Sequence, residues 1–327
     1  MDSIEKAKKI RKMVNQYKVS YILIQAEKLG IFRYVDKKPK TSLEIAKALQ
    51  IEENRLEPLL NALVCDEWIC KNNKGYYLDE YLGELTYQNE NSQLGYIHFA
   101  GDMIEKWKQV EKAIKEKEFS KENFKILTQE KASSFTKGMQ DIAMPQVRYI
   151  QNHFSFKSQN ILDIGAGAGT YGIELAKQDE TLKATLLDLP NIAKILENRI
   201  KEERLEKQLQ VLAKNYHEGL PQTIYDSIFL FSVIHQESKT ELKKLIENCY
   251  KNLKEKGSLF LTSFFLNEDR VSPEFAVQFA IEMLVMSEEG KVYTHKEIEK
   301  MLKQVGFSSV QRIDEIPGPG TLYIAIK

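Results

Sequence analysis

The 327-residue sequence predicts an α/β protein in two parts, a mostly helical first half and a doubly wound, mostly parallel sheet in the second. Three observations carry that expectation. From about residue 156 onward, short apolar runs alternate with helical stretches. Before it, apolar residues recur at helical spacing around one short hairpin. The length suits two domains at roughly 150 residues each, and a 43% apolar composition can fill both cores. We expect a helical domain over residues 1–120, connecting helices over 121–155, and the sheet domain over 156–327.

In order along the chain, residues 19–26 are mostly apolar and lead into Leu29-Gly-Ile-Phe32. Thr41-Ser-Leu-Glu44 has capping-box spacing, and Ile45, Ala46 and Leu49 follow on one helical face. Leu56, Leu59, Leu60, Leu63 and Val64 mark a second helix, with Pro58 expected near its start. Residues 68–71 and 76–78, joined through Asn72-Asn-Lys-Gly75, read as a hairpin. Helix, turn, helix and hairpin form a winged-helix pattern. More helix is expected over residues 93–119 and 135–150. Strands are expected at Asn160–Ile164, 184–187, 227–234 and 258–264. Residues 310–316 and 322–326 read as an antiparallel pair that closes the sheet.

Charge narrows the function. Lys and Arg together match Asp and Glu at 47 each, and only eight of the basic residues are Arg. Nucleic-acid binders usually carry a basic excess. The second helix of the winged-helix pattern is acidic, with Glu52, Glu53, Glu57, Asp66 and Glu67 against Arg55 alone. DNA phosphates would repel it, so the pattern is expected to serve packing or dimerisation. No apolar run approaches the ~20 residues that span a bilayer, and the charged start has no signal-peptide core. Cys65, Cys70 and Cys249 form no CxxC, which fits reduced thiols in the cytoplasm. No HExxH or paired-cysteine spacing occurs, so no metal site is expected.

The strongest chemical signal is Asp163-Ile-Gly165-Ala-Gly167-Ala-Gly169, where a buried strand enters a glycine-rich turn and then a helix. Open α/β sheets bind ligands at that place. Gly167, Gly169 and Gly172 fit the dinucleotide spacing GxGxxG, but counting from Gly165, which closes the strand, the third position falls on Thr170. Asp163 discriminates further, because a carboxylate at a strand tip repels pyrophosphate and attracts an ammonium or sulfonium. Asp188 ends the next strand, where a carboxylate can take both ribose hydroxyls. An adenosine ligand with positive charge in place of phosphate is S-adenosylmethionine.

With these motifs the chain resembles the class I S-adenosylmethionine-dependent methyltransferases, of the small-molecule O-methyltransferase type related to plant caffeate and hydroxyindole enzymes. Asp163 to Gly169 and Asp188-Leu-Pro190 match the cofactor motifs. Leu29-Gly-Ile-Phe32, Glu44-Ile-Ala46 and Leu59-Leu-Asn-Ala-Leu63 match the N-terminal dimerisation domain. The resemblance implies a Rossmann-like domain behind a winged-helix dimerisation domain, S-adenosylmethionine as co-substrate, a small-molecule acceptor and a homodimer. It implies cofactor contacts from Asp163, Gly165, Gly167, Gly169, Asp188, Leu189, Asn215 and Tyr216, and acceptor contacts from Met139, Phe279 and Met283.

His235, expected at the carboxyl end of the strand over 227–234, occupies the place of the family's catalytic histidine, and an imidazole there can take the acceptor's proton. The chain departs from the family around it. Gln236 follows where the family has Asp, and Ser263 and Val292 stand where two glutamates commonly support the histidine. Lys214-Asn215-Tyr216 replaces Gly-Asp-Phe, and Asn215 keeps an amide oxygen for the adenine amino group. Three rival readings use the same residues. One is carbon or nitrogen methylation, including a metal-held 2-keto acid with His235, Gln236 and His295 as ligands. Another is a winged-helix regulator that senses S-adenosylmethionine. The last, hydride transfer with NAD, is disfavoured by Asp163 and the glycine register.

Overall fold

The structure is a computed structural model that describes residues 3–80, 82, 92–116, 129–287, 289–318 and 320–327. It divides into two compact units, Met1–Glu105 and Lys106–Lys327. The boundary expected between residues 120 and 121 lies outside the described residues.

In the first unit, helices α1 (Ser3–Asn15), α2 (Tyr17–Lys28), α3 (Ser42–Leu49) and α4 (Glu53–Cys65) precede a hairpin of β1 (Cys70–Asn72) and β2 (Gly75–Tyr77). Helix α5 (Leu94–Trp107) follows. The α3 capping box is complete, with Thr41 Oγ1 accepting from Glu44 N–H and Glu44 Oε2 accepting from Thr41 N–H. Leu56, Leu60 and Leu63 of α4 pack with Ile31, Ile45 and Tyr76, as the 3/4 spacing requires. Pro58 sits further inside α4 than expected, at its sixth residue. Gly75 is obligatory: with φ +132°, a Cβ would lie 2.1 Å from the Lys40 carbonyl, which receives the neighbouring Tyr76 N–H. Helix α1 buries nothing; Ile4, Ile10, Met13 and Val14 are all exposed.

The second unit begins in the last turn of α5. The helix expected over 93–119 breaks after Trp107 and resumes as α6 (Val110–Lys115); its expected end lies outside the described residues. Helix α7 (Gln129–His153) then leads to a seven-stranded sheet. The strands are β3 (Asn160–Ile164), β4 (Lys183–Asp188), β5 (Leu209–Ala213), β6 (Tyr225–Phe231), β7 (Leu253–Ser263), β8 (Ser309–Ile313) and β9 (Thr321–Ile326). They lie in the order β5-β4-β3-β6-β7-β9-β8, with β3 to β7 parallel and β9 antiparallel to both neighbours. The intervening helices are α8 (Thr170–Gln178), α9 (Pro190–Glu202), α10 (Lys239–Asn252), α11 (Glu274–Met286) and α12 (His295–Val305).

The central strands read as continuous apolar runs because both faces are covered. Their two-residue period sends aromatics one way and aliphatics the other. Phe229, Phe231 and Phe260 join Phe156, Val147 and Ile173 on one face. Ile228, Leu230, Leu259 and Leu261 join Leu242, Leu245 and Ile298 on the opposite face. Strand β5 was missed in the sequence because it is the edge strand, only partly buried, and its Leu-Gln-Val-Leu-Ala carries little apolar contrast. The chain runs β3, β4, β5 to one side, then returns to β6 on the other. The crevice at the carboxyl ends of β3 and β6 is therefore the topological switch point.

Candidate functional site

Five strand ends supply the residues at this edge of the sheet. Asp163 is the fourth residue of β3 and 2% exposed. Its Oδ2 has no hydrogen-bond partner among the described residues. Burial first, and the neighbouring Asp188 charge second, push its carboxyl up to about 7. A lone buried carboxylate oxygen is costly unless something answers it. A ligand cation would do so, as the charge argument from sequence requires.

After β3 the chain turns through Gly165, Gly167 and Gly169, all with positive φ. Two of these glycines answer to packing: a Cβ on Gly165 would lie 2.6 Å from Val233, and one on Gly169 would lie 2.2 Å from Leu196. Gly167 differs, since a Cβ there would meet nothing within 4 Å. Its φ of +57° and this open space leave the backbone approachable. From α9, the Arg199 guanidinium donates to the Ala168 carbonyl and braces the turn from behind.

Asp188 closes β4 and holds the same turn, with Oδ2 accepting from Gly167 N–H and Oδ1 from Leu189 N–H, both at 2.7 Å. Each oxygen retains a lone pair for a hydroxyl. Beyond β5, the Asn215 amide oxygen accepts from His217 N–H at 3.1 Å. One lone pair and the two amide hydrogens have no partner among the described residues. The Tyr216 hydroxyl donates to Glu237, a buried carboxylate that the sequence reading passed over. Lying two residues past His235 in an unpatterned loop, Glu237 offered no spacing signal.

The structure moves His235 relative to the sequence expectation. Strand β6 stops at Phe231, and His235 sits four residues further on, in the single 3-10 turn Ile234–Gln236. Ser232 takes a positive φ of +56° at the break. The imidazole is 8% exposed, and burial pulls its pKa down to about 4. Among the described residues its only hydrogen bond is Nδ1 with Ser263 Oγ at 3.4 Å. Phe279 meets the ring edge-on, with centroids 4.8 Å apart, and Phe264 packs on Phe279 in turn.

Met283 joins Phe279 in one apolar cluster with Leu266, Ala276 and Val292. Met139, on α7, is partly buried and does not belong to that cluster. Glu282, one turn from Phe279 on α11, is a second carboxyl the sequence reading missed; burial raises its pKa, and Trp107 hydrogen-bonds to it. His295 is occupied elsewhere, with Nδ1 bonded to the Tyr323 hydroxyl at 2.9 Å as it starts α12. No cluster of three or more His, Cys, Asp or Glu side chains suited to a metal occurs among the described residues.

Comparisons with known proteins bear on the family and the fold. The O-methyltransferase domain family matches residues 102–308, well over half of the chain. The S-adenosyl-L-methionine-dependent methyl transferase PigF of Serratia sp. (strain ATCC 39006) is 25% identical over 322 residues, covering 94% of this chain and 92% of its own. The 3-hydroxy-5-methyl-1-naphthoate 3-O-methyltransferase of Streptomyces sahachiroi is 25% identical over 155 residues, 47% of this chain and 45% of its own. Human N-acetylserotonin methyltransferase, solved with its methyl donor, superposes with a TM-score of 0.86 at 20% identity, covering 100% of this chain and 98% of that one; this likeness carries the fold.

Proposed function

The chain belongs to the family of O-methyltransferase domain proteins, and from that premise we propose that it methylates a hydroxyl of a small aromatic or conjugated acceptor with His235 as general base. It is an S-adenosylmethionine-dependent methyltransferase, and that co-substrate supplies an electrophilic methyl group on a sulfonium. The orphaned Asp163 Oδ2 and the open space at Gly167 fit such a ligand. In our reading, Asp163 answers the ligand's positive charge and Asp188 takes the ribose hydroxyls. The turn of Gly165, Gly167 and Gly169 admits the adenosine, while Leu189, Asn215 and Tyr216 border the adenine.

The observation that carries the acceptor chemistry is the His235 imidazole, buried and neutral at pH 7 against Phe279. In the tautomer whose Nδ1–H donates to Ser263 Oγ, Nε2 keeps its lone pair. The acceptor oxygen forms its bond to the methyl carbon as the carbon–sulfur bond breaks and that electron pair neutralises the sulfur. The hydroxyl proton passes to His235 Nε2. Phe279 and Met283 supply an apolar wall suited to a flat acceptor, and we assign Met139 to the same pocket. Proximity and orientation then account for most of the rate.

A second reading rests on what surrounds the imidazole. No carboxylate hydrogen-bonds to His235 among the described residues, and a pKa near 4 makes it a weak base. An acceptor already ionised at neutral pH would need only orientation. Incubation with methyl-labelled co-substrate and a panel of hydroxylated naphthoates, phenols and indoles tests the proposal. Tandem mass spectrometry should place the label on oxygen; label on carbon or nitrogen would overturn it.

We also propose that the first unit pairs with a second copy. Ile4, Ile10, Met13 and Val14 of α1, with Tyr17, Val19 and Tyr21 of α2, are exposed apolar side chains within one short stretch. Light scattering should give about twice the 37.9 kDa chain mass. A monomer at micromolar concentration would refute this.

A further inference from the structure

The turn that carries His235 is held from two sides by different kinds of group. On one side, three successive backbone carbonyls accept hydrogen bonds from the segment that follows α11. His235 O accepts from Lys291 N–H at 2.9 Å, Gln236 O from Ser287 Oγ at 3.3 Å, and Glu237 O from the Tyr293 hydroxyl at 2.7 Å. Gly290 is part of this fit, since a Cβ there would lie 2.9 Å from the His235 carbonyl. That segment continues α11, whose Phe279 meets the imidazole edge-on and clusters with Met283.

On the other side, the Glu237 side chain, only 4% exposed, reaches toward the loop after β5. Its Oε1 accepts from the Tyr216 hydroxyl and lies 3.2 Å from His217 Nε2. Ser238 then caps α10 by accepting from Glu241 N–H, which fixes the far end of the turn. One buried carboxylate therefore links the loop assigned to adenine with the peptide that carries the base, and the carbonyls of that peptide link onward to the acceptor wall.

We propose that Glu237 is a positioning residue through which cofactor occupancy orders the acceptor side of the site. A ligand that presses on Tyr216 restricts the Tyr216–Glu237 pair. The restricted turn then holds its three carbonyls in place for Lys291, Ser287 and Tyr293. Ordering of one segment by a ligand on another lowers the cost of the second binding event, so cofactor and acceptor should each raise the other's affinity. The inference rests on the assignment of Tyr216 to the cofactor side.

Hydrogen–deuterium exchange of the full chain, with and without saturating S-adenosylhomocysteine, tests it without any acceptor. In the unsubstituted protein the product should slow exchange over residues 165–169 directly. It should also slow exchange over residues 289–293 by about fivefold or more, the low end of ordinary coupling. Glu237→Leu should keep the first effect and lose the second. Glu237→Gln keeps an oxygen for Tyr216 and should restore it, a rescue that a purely structural role does not produce. Equal slowing over 289–293 in all three proteins, or none in the unsubstituted one while 165–169 is protected, overturns the proposal. Failure to protect 165–169 in the unsubstituted protein removes the cofactor assignment itself, and this proposal with it.

Discussion

Asp163 lies near the carboxyl end of β3 and His235 just beyond that of its neighbour β6, and burial moves their pKa values in opposite directions. It pushes the carboxyl up to about 7 and pulls the imidazole down to about 4, so each group is held toward its neutral form. Their surroundings differ. Asp163 lies beside a turn fixed by the two hydrogen bonds of Asp188, by Arg199 behind Ala168, and by packing at Gly165 and Gly169. Among the described residues the His235 ring has one long bond, to a serine, and packs against Phe279 and Phe264. The end we assign to the cofactor is thus braced by the fold itself. The end we assign to the acceptor depends on packing and on the turn that carries His235.

The largest expected effect tests the weaker end. His235→Ala should lower turnover by about 10²–10⁴-fold if the imidazole takes the proton. Co-substrate affinity, read by calorimetry, should hardly change. Near-normal turnover would leave orientation as the whole of catalysis and widen the contrast between the two ends.

Asp188→Ala tests the stronger end. Loss of the acceptor for two hydroxyls, together with two backbone partners in the turn, should weaken co-substrate binding by about 1–3 kcal/mol. Titration calorimetry reads this directly. Unchanged affinity would mean that the ribose is held elsewhere.

A third test uses pH. Free Asp163 holds its proton below about 7, whereas a bound cation favours the ionised form. Binding must therefore release a proton, and affinity should fall as pH drops through that value, by about tenfold for each unit below it. Calorimetry in buffers of different ionisation enthalpy counts the proton. A flat profile from pH 6 to 8 would break the assignment of Asp163. The same shift acts on stability with the opposite sense. Between about pH 4 and 7 the folded chain keeps a proton that the unfolded chain loses, so the unliganded protein should lose stability as pH rises there. His235 runs the other way, because between about pH 6.5 and 4 only the unfolded chain binds the proton, and stability falls as pH drops.

The smallest effect separates two glycines. Gly167→Ala has room for its methyl and should cost only the left-handed backbone penalty of about 1–2 kcal/mol, while blocking the ligand's approach. Gly169→Ala drives a methyl against Leu196 and should lower the melting temperature more. Equal melting temperatures would show that the turn relaxes around Gly169.

Local pattern carried much of this protein. The capping box at Thr41, the 3/4 spacing of Leu56, Leu60 and Leu63, and the apolar run of β3 form as the sequence predicts, because each pattern is set by residues a few positions apart. The Asp163–Gly169 turn was legible for the same reason, since glycines at a strand end specify a backbone conformation wherever the rest of the chain lies. What the sequence could not supply was partnership across distance. Strand β5 is a strand because β4 lies beside it, and its own residues hardly require that. His235 belongs to a turn beyond its strand because the Ser287–Tyr293 segment holds it there. Glu237 sits beside His235 in the chain with no motif of its own, and only the packing of the β5 loop against this turn brings Tyr216 and His217 to its carboxylate. Periodicity and glycine placement are short-range constraints written into neighbouring residues, whereas the desolvation of Asp163 and His235 and the company of Glu237 exist only once the sheet has brought distant strand ends to one edge.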